Sequence, residues 1–149
     1  MFNCGIIFGL CELFGSESLS QVYCFMVWLL NNSHRFPKSW AYDDGFHLHK
    51  FVKKPRQCDS TEAAKVLSEL GIVVDRMHFK NHVSAWCKAH MNPDSNKSFH
   101  GVNTEACEQT FYWVARFKHA VRHMNSVLFN LFLLTACNMF NNTKLKRRF

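Results

Sequence analysis

A chain of 149 residues, 48% hydrophobic and with 15 phenylalanines, is long and apolar enough to bury a core, which excludes a disordered polypeptide. Its formal net charge of +7 excludes an acidic solvating segment and suits a polyanionic partner such as nucleic acid. Seven cysteines, an odd number scattered from Cys4 to Cys137, exclude a regular disulfide framework.

The first residues lack the basic stretch and long apolar run of a signal peptide. Cys4–Leu10 is apolar, with Gly5 and Gly9 near its ends, and Glu12–Phe14 follows before Gly15-Ser16, which predicts a short hairpin over 1–15. Ser16 or Ser18 is placed to cap a helix over Leu19–Asn31, apolar nearly all round and so predicted to be buried. Pro37 ends that segment. Ser39–Tyr42 reads as a strand delivering Asp43 at its tip. Gly45–Lys54 reads as a short helix stopped by Pro55. Ser60-Thr61-Glu62 opens another helix through Leu70, closed by Gly71. Ile72–Val74 is a buried strand ending at Asp75, and Asn92–Gly101, which holds Pro93, is a loop.

From Thr104 onward, Cys107, Phe111, Val114, Phe117, Val121, Met124 and Leu128 recur at steps of three and four, which predicts an apolar helical stripe. Asn125 divides this region, and the second helix runs to about Met139. Helices alternating with short apolar strands predict an α/β or α+β fold, with a short central sheet packed by helices and a long helical C-terminal part. The longest apolar stretches, Val22–Leu30 and Val127–Phe140, fall short of the ~20 residues that span a bilayer, so no membrane partner is expected. The expected compartment is nucleus or cytoplasm, and the Asn-x-Ser/Thr matches at Asn31, Asn96 and Asn141 are then incidental.

Two strands ending in aspartate matter because sites in open sheets gather at the carboxyl ends of strands. Hard divalent ions prefer oxygen ligands, and phosphoryl transfer by two ions needs several converging carboxylates. Asp43 at a strand end and Glu108 near a helix start are the candidates, although such residues also serve as ordinary turn formers and helix-start residues. His78, His82 and Cys87, spaced by four and five with Cys58 and His90 nearby, are residue types that suit Zn²⁺, but local hydrogen bonding that ties a loop to the core is the favoured reading. Arg116, Lys118 and Arg122, with His119 and His123, form either a phosphate-contacting face or a solvated one. Trp28, Trp40, Trp86 and Trp113 read as core. The tail Lys144-Leu145-Lys146-Arg147-Arg148 reads as a solvated end or a site for phosphate contact or nuclear import.

Three motifs carry a family resemblance. Tyr42-Asp43-Asp44-Gly45-Phe46-His47-Leu48 resembles the YD-x-x-C-x-L element of Kyakuja-Dileera-Zisupton (KDZ) transposases. Val74-Asp75-Arg76-Met77-His78-Phe79-Lys80-Asn81-His82, with Cys87, resembles their element of aspartate, two histidines and cysteine. Asn103-Thr104-Glu105-Ala106-Cys107-Glu108-Gln109-Thr110 resembles their NT-x-x-x-EQT element. Upstream, Gly5-Ile6-Ile7-Phe8-Gly9 and Glu17-Ser18 sit where that family has an HG-x-x-x-G stretch and an ES pair. Order and approximate spacing hold over nearly the whole chain.

The resemblance implies a DDE transposase catalytic domain with an RNase H-like fold, present here as its C-terminal part. The expected organisation is a partial domain over 1–149: hairpin 1–15, strand and helix core 16–103, C-terminal helices 104–140 and basic tail 141–149. Asp43 would be the second catalytic carboxylate, with Asp44 its near rival, and Glu108 the third, ahead of Glu105. The implied ions are Mg²⁺ or Mn²⁺, and the implied partner is DNA at transposon ends. Zn²⁺ is a further expectation at His78, His82 and Cys87. No aspartate precedes Asp43, so the first catalytic carboxylate has no counterpart, and Phe46 stands where the family usually has cysteine. The polypeptide alone is therefore expected to be inactive, to bind its ions poorly, and to be marginally folded or self-associating. The alternative is a repurposed non-catalytic module for nucleic-acid or protein interaction, stabilised or not by zinc.

Overall fold

The computed structural model describes residues 5–34, 36–55 and 61–146. The chain divides into two compact units, one of Cys11–Thr104 and one of Met1–Leu10 with Glu105–Phe149. Helix and strand are mixed, and the only sheet among the described residues is a parallel pair of strands.

The first unit begins with α1, Leu19–Asn32, whose start is fixed by the Ser18 hydroxyl accepting the Gln21 amide. β1 (Ser39–Tyr42) leads into α2 (Gly45–Val52), and α3 (Glu62–Ser68) leads into β2 (Gly71–Val74). The Thr61 hydroxyl caps α3 by accepting the Ala64 amide. The strands pair in register, Ser39 with Gly71 through Tyr42 with Val74. The β-branched residues Ile72, Val73 and Val74 suit the pleat and are buried. Met26, Leu48, Val52, Leu67, Leu70 and Ile72 form the main core. Gly45 lets α2 start hard against β2: a Cβ there would lie 2.5 Å from the Val73 carbonyl oxygen. Two short helices follow, α4 (Arg76–Phe79) and α5 (Ala85–His90), and then the 3₁₀ turns Pro93–Ser95 and Lys97–Phe99.

Several expectations change here. Residues 5–14 form no strand where a hairpin is predicted, and residues 1–4 lie outside those described. α1 is not buried all round: Met26 and Leu29 are its buried residues, while Trp28 is exposed and stacked on Phe25. Gly71 opens β2 rather than closing α3, whose end falls at Glu69. The predicted loop at Asn92–Gly101 gains its 3₁₀ turns because the Asn92 and Asn96 side chains accept the amides of Asp94 and Ser98. Ser60 and Cys58 lie outside the described residues.

The second unit holds α6 (Ala106–Ala115), α7 (Lys118–Val121) and α8 (Ser126–Lys146). The predicted division at Asn125 is present, with its side chain accepting the Leu128 amide. An unforeseen break falls at Arg116–Phe117, where the amides of both residues bond three residues back, to Trp113 and Val114. The break accompanies an aromatic cluster. Phe117 lies 5.2 Å from Trp113 and 5.4 Å from Phe132, and Trp113 lies 4.9 Å from Phe140.

The predicted stripe holds only in its middle, where Val114, Phe117, Val121 and Met124 are half-buried. Phe111 and Leu128 are 63% and 52% exposed, and Thr110, outside the stripe, is buried. α8 continues past Met139 to Lys146, so the expected tail at 141 begins inside a helix; Arg147 and Arg148 lie outside the described residues. Asn141 is a structural residue, exchanging two hydrogen bonds with the backbone of Ile7. Val127, Leu131 and Leu134 leave an apolar face of α8 exposed. Cys11, Cys24, Cys87, Cys107 and Cys137 are free thiols. Among the described residues no helix is long and apolar enough to cross a membrane.

Candidate functional site

The parallel pairing places two motifs side by side. Tyr42 and Val74 are partners at the carboxyl ends of β1 and β2, so Asp43 and Asp75 each follow the last paired residue of their strand. This carboxyl edge is where sites form in parallel sheets. Asp43 is half-buried, and one of its oxygens accepts the Asp44 amide at 2.7 Å. Asp44 pairs with His47 at 2.6 Å. Both side chains are well exposed, so the pair adds little stability.

Asp75 is buried at 2% exposure and fully engaged. One oxygen accepts the amides of Met77 and His78 at 2.9 and 3.0 Å, capping α4. The other lies 2.7 Å from His78 Nδ1. Asp75 thus orients His78 rather than presenting an open carboxylate.

Arg76 ties this edge to the segment beyond α5. Its guanidinium donates to the Asp94 carboxylate at 2.6 Å and to the carbonyls of Phe99 and Val102. Its backbone amide donates to the Thr104 hydroxyl at 3.0 Å. At the opposite flank, the Tyr42 hydroxyl donates to the Glu17 carboxylate. Burial first, then that hydrogen bond and the nearby charges of Asp43, Glu17 and Asp44, push the Tyr42 phenol far above its ordinary value.

The predicted ligand set His78, His82 and Cys87 is divided between two pairs. His82 Nδ1 lies 2.9 Å from the Cys87 sulfur, while His78 Nδ1 is on Asp75. Cys87 is fully buried, and burial raises its thiol above the ordinary value, which favours the protonated form. Phe46, at the position where cysteine is expected, packs against the small core of Val74, Cys87 and Met91. The His82–Cys87 pair supplies two of the four ligands a structural zinc centre takes, with an apolar ring beside them.

In the second unit, Glu108 lies in the first turn of α6, and its Oε2 is buried with no hydrogen-bond partner among the described residues. Glu105 holds the N-cap position without a side-chain cap bond. Arg116, Lys118, His119, Arg122 and His123 are all exposed, but they do not share one continuous helix. Arg116 and Arg122 stand at the C-caps of α6 and α7, where a cation complements the helix dipole.

Sequence reasoning missed the anchoring role of Arg76, since its partners are two carbonyls and a carboxylate 18 to 26 residues away. Glu17 and Thr104 stand within motifs, but neither hydrogen bond has a sequence signature. No protein-family model matches this chain, and neither a curated protein nor a solved structure is detectably similar to it.

Proposed function

We propose that this chain derives from a DDE transposase of the KDZ kind, built on an RNase H-like framework, and that by itself it does not cleave or transfer DNA strands. The observation that carries the reading is that, within the unit of Cys11–Thr104, residues of three motif elements and the first two residues of a fourth are joined to one another. Glu17 of the ES pair accepts the hydroxyl of Tyr42, which opens the YD element. Tyr42 pairs with Val74, which opens the second element, and Arg76 of that element bonds Thr104 of the third. Segments distant in sequence but joined at the carboxyl edge of a parallel sheet suit a catalytic ancestry.

Asp43 and Glu108 are the second and third catalytic positions in this reading, with Mg²⁺ or Mn²⁺ as the ion. The residues fit a hard cation in one respect. A buried carboxylate oxygen without a hydrogen-bond partner, as at Glu108, is costly, and a divalent ion is a group that would satisfy it. Bound there, the ion would supply Lewis-acid activation of a phosphoryl oxygen or of water. With no aspartate ahead of Asp43, this polypeptide supplies two of the three carboxylates, so binding is weak and strand transfer absent. DNA remains the partner, with Arg116, Lys118 and Arg122 at its phosphates.

The test uses the purified chain, supercoiled plasmid and Mn²⁺. No nicking above buffer is expected, together with weak Mn²⁺ binding, read by electron paramagnetic resonance, that falls further in Glu108→Gln. Mn²⁺-dependent nicking that disappears in Asp43→Ala would refute the inactivity. Mn²⁺ binding unaltered by both Glu108→Gln and Asp43→Asn would remove the carboxylate assignment.

A further inference from the structure

Residues 45–55 and 76–93 together hold six lysines and arginines and no aspartate or glutamate. Arg76 is engaged within the fold, which leaves a lysine-rich remainder on α2, α5 and their flanks. The same helices bring four rings together. Trp86 of α5 lies 4.6 Å from His90, 5.5 Å from Phe46 and 5.9 Å from His49. Lys50 of α2 sets its ammonium 3.9 Å above the Phe46 ring, a cation–π contact. Phe46 is anchored from below by Val74, Cys87 and Met91, so the array rests on a packed base.

The outer members of this array are open to solvent. Trp86 is 42% exposed, which a tryptophan serving only the core would not be, and Lys50, Lys88 and His90 are exposed as well. His49 is held below its ordinary value by burial and then by the charges of Lys53 and His90. Asp44, just ahead of α2, is paired with His47.

Exposed rings flanked by ammonium groups match one chemistry well. Unpaired bases stack on aromatic faces, while lysines take the phosphates between them. A duplex would present its phosphates but keep its base faces covered. We propose that the α2–α5 surface binds a short stretch of single-stranded nucleic acid, with a base on the Trp86–His90 rings and phosphates at Lys50 and Lys88. This assignment does not depend on the transposase ancestry, since it uses neither Asp43 nor Glu108.

The test is fluorescence anisotropy of the full chain with a labelled 15-nucleotide oligothymidylate, beside a 15-base-pair duplex and vesicles containing 30% phosphatidylserine. The single strand is expected to bind more tightly than the duplex. Two phosphate contacts to a single strand imply a salt slope of about −1.4, so raising salt fourfold weakens binding about sevenfold. Trp86→Ala is expected to weaken binding by about tenfold or more. Lys50→Gln with Lys88→Gln changes two exposed positions, keeps the fold, and is expected to flatten the salt dependence. Equal affinity for duplex and single strand, or vesicle binding that the oligonucleotide does not displace, would overturn the proposal. So would single-strand binding untouched by the double lysine variant.

Discussion

The two units hold themselves together by different means. In Cys11–Thr104, side chains bond to distant backbone and to one another: Arg76 to Phe99 and Val102, Thr104 to Arg76, Tyr42 to Glu17, Asp75 to the start of α4. In the unit of Met1–Leu10 and Glu105–Phe149, the long-range ties include the two Asn141–Ile7 hydrogen bonds and the ring cluster of Trp113, Phe117, Phe132 and Phe140, side-chain bonds such as Thr110 to Ala106 and Thr135 to Leu131 stay within one helical turn, and only Thr110 and Ala136 are buried among the described residues. A polar lattice has few alternative arrangements, because each buried donor or acceptor left unpaired costs free energy. A cluster of rings at the surface of three helices is more tolerant. The first unit is therefore the one in which single substitutions should be most damaging, and in which atoms are placed with the precision that chemistry needs.

Asp75→Ala should be the most damaging single substitution in the first unit. It removes the α4 cap and takes the Asp75 acceptor away from two part-buried amides and the His78 ring. The expected loss is about 3 kcal/mol in urea unfolding. Asp75→Asn retains a good cap acceptor and should cost about 1 kcal/mol. A loss in Asp75→Ala no greater than that of an exposed cap would show that this buried network contributes little.

Phe117→Ala probes the other unit. Two aromatic contacts of about 0.5–1.5 kcal/mol each disappear, along with part of the ring's burial, so a loss of about 2 kcal/mol is expected. Hydrogen exchange should quicken in α6–α8 and stay unchanged in α1–α4. Equal quickening in both sets would mean that the two units unfold as one, and the comparison would fall.

The same contrast explains what was legible in the sequence. Ser18, Thr61 and Asn125 act as caps where the local signal places them, and Ser39–Tyr42 and Ile72–Val74 are strands, because those signals are local. The stripe from Cys107 to Leu128 holds only from Val114 to Met124, because a period of three and four marks a helical face without fixing how much of that face its neighbours cover. The hairpin expected over 1–15 shows no strand in residues 5–14, because glycines and apolar residues permit a turn without dictating strand pairing. In the site, Asp43 and Asp75 at strand ends were readable from pattern. That Asp75 is already committed to α4 and His78 was not, since engagement depends on where α4 begins.

The smallest expected effect concerns Tyr42, at the polar flank of the sheet. An unfolded tyrosine titrates near pH 10. In the folded chain burial, the bond to Glu17 and the adjacent carboxylates hold Tyr42 protonated well beyond that. A group whose folded value is raised contributes its stability fully below the unfolded value and loses it as pH climbs toward the folded one. Stability should therefore hold up to about pH 10 and fall above it. Tyr42→Phe should remove that alkaline decline while costing about 0.5 kcal/mol at neutral pH, the modest worth of an exposed hydrogen bond. The chain has three tyrosines, so absorbance at 295 nm should show one that resists titration and is missing in Tyr42→Phe. Three tyrosines titrating together near pH 10 would mean that the Glu17–Tyr42 contact does not persist in solution, and the joint between the first two motif elements would be lost with it.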